Sequence, residues 1–250
     1  MNENRFTDKA FLYESFRPTY PQALIDYLCH RFQLTENSKV ADIGSGTGIF
    51  SSQLLKKVGT VYGVEPNVKM RELSEKELKG FSNFHAIAAP AEATTLKASS
   101  VDFITVAQAF HWFDQAAFKK ECQRLLNPNG KVAILWNTRD YSSPLIQGEF
   151  DLRQKYGDLR GKEDTSRLVK DWSDFFTEGI CEFKTCRNDF LLTHEAYLGL
   201  ALSRSWAPNQ EKDPEGYRQF LEELNQLFSR YQENNQILYP YFIQCYTGRV

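Results

Sequence analysis

The chain has 250 residues, 42% hydrophobic and 25% charged, which suits one globular domain with a buried core and excludes a disordered chain. A formal net charge of −2, with no basic block of five residues, gives no field to draw in nucleic acid or an anionic membrane. The start, MNENRFTDK, lacks the apolar core of a secretory signal, and no apolar run reaches a membrane span, so a cytoplasmic protein without membrane insertion is expected.

Leu24, Ile25, Leu28 and Phe32 share one face and predict a helix over 22–32. Lys39 to Ile43 predicts a buried strand that ends in a glycine cluster, followed by a helix through Phe50, Leu54, Leu55 and Val58. A second strand, Thr60–Val64, ends at Glu65-Pro66; Asn67 caps the next helix and Gly80 stops it. Phe84–Ala88 and Val101–Ala107 read as strands three and four. A helix from about Asp114 to Leu126 turns Phe118, Cys122 and Leu125 inward, with Asp114 as its N-cap. The turn Asn127-Pro128-Asn129-Gly130 feeds a fifth strand, Lys131–Trp136. Strands alternating with helices predict a parallel sheet with right-handed crossovers.

After residue 138 the pattern changes. Helical stretches near 143–157 and 165–177 precede a strand-like piece, Glu182–Phe190. Thr193 caps a helix towards Ser203, and a long amphipathic helix carries Tyr217, Phe220, Leu224, Leu227, Phe228 and Tyr231. Pro240–Tyr246 is a β-rich tail. This half reads as a helical cap interleaved with two closing strands. The five cysteines form no C-x-x-C pair and read as reduced, mostly buried thiols. His30, His85 and His194 lack metal-ligand spacing, so no metal is expected.

The chemistry is concentrated in VADIGSGTGIF, residues 40–50: a strand, a glycine turn and a helix start. Gly44, Gly46 and Gly48 allow a tight turn and close approach of a ligand to the backbone. A carboxylate at Glu65, ending the next strand, can accept both hydroxyls of a ribose. These features suit NAD as well as S-adenosylmethionine. Three others separate the two. The glycines are spaced G-x-G-x-G rather than G-x-G-x-x-G. Asp42, two residues before the first glycine, would repel a pyrophosphate but suit an ammonium group. The helix, Pro-Gly turn and strand of RLLNPNGKVAIL complete the set.

Taken together, the chain resembles the class I S-adenosylmethionine-dependent methyltransferases, nearest the small-molecule branch of ubiquinone-biosynthesis and trans-aconitate type. The matching stretches are YESFRPTYP (13–21), VADIGSGTGIF (40–50), VYGVEPNVKM (61–70), AAPAEATTL (88–96), VDFITVAQAFHWFD (101–114) and RLLNPNGKVAILWN (124–137). The resemblance implies an α/β, three-layer Rossmann-like methyltransferase fold. Its mostly parallel seven-stranded sheet would have one antiparallel strand, plus a helical cap. It implies a single domain over 1–250, with a cofactor-binding half (1–138) and a cap half (139–250).

It also implies roles. Gly44, Ser45 and Gly46 would lie under the methionine and ribose, and Asp42 would hold the amino group. Glu65 would bind the ribose hydroxyls, Pro66 and Asn67 would border the adenine, and Ala91 and Glu92 would flank it. Pro90 departs from the short polar residue that many relatives carry there. Gln108 and Ala109 would line the sulfonium side, and Arg17 and Tyr20 would close the site.

Transfer of an activated methyl is an in-line displacement that needs alignment and exclusion of water. His111, just after the fourth strand, is the candidate general base; a carboxylate acceptor would need none. Phe110, Trp112 and Trp136 are candidates for the wall of a small-molecule acceptor site, with core packing as the competing role for the aromatics. O-methylation of a carboxylate or hydroxyl is favoured. The alternatives are a non-catalytic S-adenosylmethionine-binding regulatory protein and an NAD-dependent oxidoreductase.

Overall fold

A computed structural model describes residues 19–157, 172–204 and 206–250. Helix α1 (Gln22–Phe32) buries Leu24, Ile25 and Leu28. Strand β1 (Lys39–Ile43) follows, then the glycine turn and a short helix, α2 (Ile49–Leu54). Next come β2 (Thr60–Val64), α3 (Val68–Glu77) and β3 (Phe84–Ile87). Asn67 caps α3 by accepting from the Met70 amide at 3.1 Å, and the helix ends ahead of Gly80. Strand β4 (Val101–Ala107) leads through a 3-10 turn (Phe110–Trp112) to α4 (Gln115–Leu125), capped by Asp114 through the Ala117 amide.

Strand β5 (Leu126–Arg139) is longer at both ends than expected. The Asn127–Gly130 segment is absorbed as an irregularity: Leu126 pairs with Val101, but the next partners are Lys131 and Phe103. The cap contributes α5 (Pro144–Tyr156), β6 (Cys181–Arg187), β7 (Phe190–Thr193), α6 (His194–Leu202), α7 (Pro214–Tyr231), β8 (Gln236–Tyr239) and β9 (Tyr241–Gly248). Two expectations are corrected. The stretch 182–190 is not one strand, because Asn188 and Asp189 turn the chain from β6 into β7 of a different sheet. The described part of the 165–177 stretch, from Trp172, forms turns and only a 3-10 helix at Thr177–Gly179; its aromatics pack individually onto the core.

The main sheet has the order β3-β2-β1-β4-β5-β9-β6, parallel except for β9, which runs against both neighbours. β7 and β8 pair antiparallel by themselves. Alternation along the strands gives each face its own core. Ile43, Ile104, Val106, Ile134 and Trp136 meet Phe118, Cys122 and Leu125 of α4. Val40, Phe103, Ala133 and Leu135 meet α1 and Phe50 and Leu54 of α2 on the opposite face. A third core, around Leu145, Tyr197, Phe220, Leu224 and Tyr239, belongs to the cap. Among the described residues no helix is long and apolar enough to cross a membrane.

Two buried carboxylates tie these layers together. Asp42, 1% exposed, accepts from Ser51 Oγ of α2 at 2.6 Å and from Thr105 Oγ1 of β4 at 2.9 Å. Burial pushes its carboxyl up to about 6, against the pull of both hydroxyls. In the cap, Glu149 of α5, 3% exposed, accepts from Arg204 Nη2 at 3.0 Å and from the Tyr239 hydroxyl at 2.6 Å. Arg139 Nη1, at the end of β5, lies 3.8 Å from the same Glu149 oxygen.

The folded state therefore holds the Asp42 proton more tightly than the unfolded chain does. Unfolding free energy should fall, relative to Asp42→Asn, by on the order of 2–3 kcal/mol as pH rises from about 4 to about 6, then stay level. Urea unfolding across that window checks this; a constant difference would refute it. Glu149→Ala removes the carboxylate shared by two buried guanidinium groups and should cost about 3–5 kcal/mol in the same assay.

Candidate active site at the carboxyl edge of the sheet

Strand order reverses between β1 and β4: the chain moves outward through β2 and β3, then returns to the other side of β1. Such a switch point opens a crevice at the carboxyl ends of the strands. The glycine turn fills its floor. Gly44, Gly46 and Gly48 have φ of 69°, 57° and 86°, in the left-handed region. The Gly44 and Ser45 amides both donate to the Val64 carbonyl, at 2.8 and 3.1 Å, which pins the turn to the end of β2. A Cβ on Gly44 would stand 2.5 Å from the Ala109 Cβ, so only glycine fits there.

Glu65 closes the side of the turn. Its Oε2 accepts from the Gly46 amide at 3.0 Å and its Oε1 from the Asn67 amide at 2.8 Å. Arg71 Nη1 donates to the Glu65 carbonyl at 2.9 Å, fixing the following backbone beside exposed Pro66. Ala91 is buried, and Glu92 Oε1 accepts from the Asp114 amide at 2.9 Å, linking the loop after β3 to the cap of α4. Asp114 is thus a helix-capping residue.

The end of β4 is strained. Gln108 has φ of 63°, unusual for a residue with a side chain, while its amide donates to the Leu135 carbonyl at 2.9 Å. Its Nε2 and Ser45 Oγ are buried and have no hydrogen-bond partner among the described residues. Orphaned polar atoms in the glycine turn and at the end of β4 fit a ligand rich in hydroxyl and amino groups. Asp42 lies behind the turn, both oxygens engaged, and holds it from below.

The aromatic candidates separate. Phe110 has no exposed surface and packs against Phe113, Phe118, Trp136, Trp172 and Phe175, so it is a core residue and not an acceptor wall. Trp112 is 47% exposed, and half-buried His111 has its ring 4.8 Å from it. Trp136 is buried with its Nε1 unpartnered. Tyr20 is buried with its ring edge on Phe50 of α2 at 4.8 Å, and its amide and carbonyl are both bonded to the Gln53 side chain. Arg17 lies outside the described residues.

Sequence reading missed Ser51 and Thr105, the partners of Asp42. Thr105 could have been found, since it is the one polar residue in the apolar run from Phe103 to Ala107 and register places it opposite Asp42. It also missed Asn188, which donates to the Thr19 carbonyl at 2.9 Å and to Asn137 Oδ1 at 3.0 Å. That link draws the first described residues to the end of β5.

Residues 41–134 match a family model described as a methyltransferase domain. An uncharacterised methyltransferase-like protein of Schizosaccharomyces pombe is 31% identical over 243 residues, 94% of this chain and 91% of that one. An uncharacterised methyltransferase of Mycobacterium bovis is 36% identical over 128 residues, and this match spans about half of each chain (51% and 50%). Among solved structures, a protein provisionally assigned as a type II methyltransferase from Anaeromyxobacter dehalogenans shares the fold. Its TM-score is 0.70 at 21% identity, covering 94% of this chain and 98% of that one. The NAD reading falls with these matches. Likeness sustained along nearly both chains places this protein among the class I S-adenosylmethionine-dependent methyltransferases.

Proposed function

We propose that the protein methylates an oxygen of a small-molecule acceptor. The observation that carries the site assignment is the Glu65 carboxylate, which bridges the glycine turn, with its orphaned Ser45 hydroxyl, and the start of α3. Gly44, Ser45 and Gly46 underlie the methionine and ribose. Glu65 takes the ribose hydroxyls. Pro66 and Asn67 border the adenine, with Ala91 and Glu92 on its other side. Gln108 and Ala109 stand on the sulfonium side. Asp42 acts from beneath the turn, reaching the amino group through water. Tyr20, with Arg17, closes the cofactor end.

When bound, S-adenosylmethionine supplies a methyl group on a cationic sulfur that departs as a neutral thioether. The chain's own residues align the acceptor and keep water out. His111 takes the proton of a hydroxyl acceptor; a carboxylate needs no such help. Exposed Trp112 offers an apolar wall beside it. Residues beyond β5 are joined to its end through Arg139 and Asn137, and an edge bounded in this way suits a small acceptor better than a polymer.

Glu65→Ala should weaken binding of S-adenosylmethionine and of its demethylated product by about 1–3 kcal/mol, read by isothermal titration. An unchanged dissociation constant would remove the ribose assignment. His111→Ala should lower kcat on a hydroxyl acceptor by about 100-fold or more while leaving cofactor affinity unaltered. Equal loss of both would make His111 a structural residue.

A further inference from the structure

Several of the buried polar atoms that lack partners fall in one row. Ser45 Oγ stands in the turn after β1, Gln108 Nε2 just beyond β4, Trp136 Nε1 on β5 and Gln244 Oε1 on β9. Those four strands are consecutive neighbours in the sheet. The links between them are direct. The Gln108 amide bonds the carbonyl of Leu135, next to Trp136, and Trp136 pairs in register with Gln244. Gln244 in turn pairs with Thr185 of β6. Beyond the row lies a groove of about 420 Å³ whose lining includes Thr138, Thr185, Phe183, Phe242 and Gln244.

The charges at the groove are engaged with one another. Asp140 Oδ2 is 2.6 Å from Arg187 Nη1, and Arg139 reaches towards Glu149. The row itself is neutral: a hydroxyl, an amide N–H, an indole N–H and an amide carbonyl. The Trp136 ring is held by Phe110, Trp172 and Tyr246, so its N–H direction is set by packing. Trp136 and Gln244 are register partners across β5 and β9, and leaving both polar atoms buried without a partner costs stability unless another group completes them. A hydroxyl both donates and accepts, and so satisfies an indole N–H and an amide carbonyl side by side. A carboxylate only accepts, and would meet the Gln244 carbonyl oxygen with like polarity.

We propose that the Trp136 and Gln244 end of this row, with the groove, binds the methyl acceptor, Ser45 and Gln108 marking the donor end, and that the acceptor is an uncharged, hydroxyl-bearing molecule with an apolar or aromatic body. The proposal rests on the assignment of the donor to the glycine turn. From Gln108 to Gln244 is two strand spacings, about 10 Å, the length of a two-ring molecule. Gln244 and Trp136 are then specificity determinants, and Phe183 and Phe242 flank the body of the acceptor.

The test uses the full chain saturated with S-adenosylhomocysteine and two probes with the same biphenyl body, 4,4′-dihydroxybiphenyl and biphenyl-4,4′-dicarboxylate, followed by calorimetry. The diol should bind about ten-fold more tightly than the dicarboxylate. Trp136→Phe, which keeps the ring, and Gln244→Leu should each weaken the diol about ten-fold and leave the S-adenosylhomocysteine affinity unchanged. Gln244→Lys should invert the preference. The proposal is overturned if the wild type prefers the dicarboxylate, if neither probe binds at millimolar concentration, or if both variants keep full diol affinity and merely shift the melting temperature. Diol selectivity without S-adenosylhomocysteine binding would support the groove and overturn the donor site. Cofactor binding without diol selectivity would do the reverse.

Discussion

At Gly44 the chain leaves β1 with a positive φ and with Ala109 so close that no side chain fits between them. That contact sets the position of everything after β4. Because Ala109 must lie against the turn, Gln108 is forced into the left-handed region, at a strain cost of about 1–3 kcal/mol. The bond from the Gln108 amide to the Leu135 carbonyl holds it there. The β4–β5 ladder therefore maintains the strain, and its result is an amide side chain facing a crevice without a partner.

The two acidic residues of the donor region do opposite work with the same functional group. Asp42 sits among the apolar residues Val40, Ala41 and Ile43, on the face turned towards α2, and is satisfied by two hydroxyls rather than by a cation. Neutral donors do not offset desolvation fully, so its carboxyl titrates high. It fixes α2 and β4 relative to β1. Glu65, at the end of β2, takes two backbone amides, one from the glycine turn and one from the start of α3. Bonds of that kind stabilise the anion. One carboxylate ties the turn to the layers beneath it; the other ties it to the neighbouring helix.

Much of this was legible in the sequence because it depends on local rules. The periodicity of 22–32, the apolar runs of β1, β2 and β4, the caps at Asn67, Asp114 and Thr193 and the glycine spacing are each set by neighbours within a few residues. What was misread depends on partners far along the chain. Asn127–Gly130 carries a strong turn signal, yet pairing with β4 and the extra residues allowed there draw it into β5. Asn188 breaks an apparently continuous strand because its side chain is committed to Thr19 and Asn137. Phe110 and Trp112 are two residues apart and chemically alike, but the 3-10 turn sends one into the core and the other to solvent. No pattern in the sequence distinguishes them.

The geometry of the acceptor side follows from the extra length of β5. Its pairing with β4 stops at Leu135, opposite Ala107, whereas its pairing with β9 continues to Arg139, opposite Tyr241. Residues 136–139 and their β9 partners thus form a ribbon that rises beyond the parallel edge, next to the donor turn. Alternation gives the ribbon two faces. Trp136 and Thr138 lie with Gln244 and Phe242 on the face that carries the groove. Asn137 and Arg139 alternate with them: Asn137 bonds Asn188, and Arg139, which also borders the groove, approaches Glu149. On its far side the ribbon is widened by β6, whose Thr185 and Arg187 pair with Gln244 and Phe242. Its end is anchored by Glu149 of α5, a carboxylate shared by Arg139, Arg204 and Tyr239. By holding Arg139, α5 fixes how the ribbon stands around the groove, the wall proposed for the acceptor.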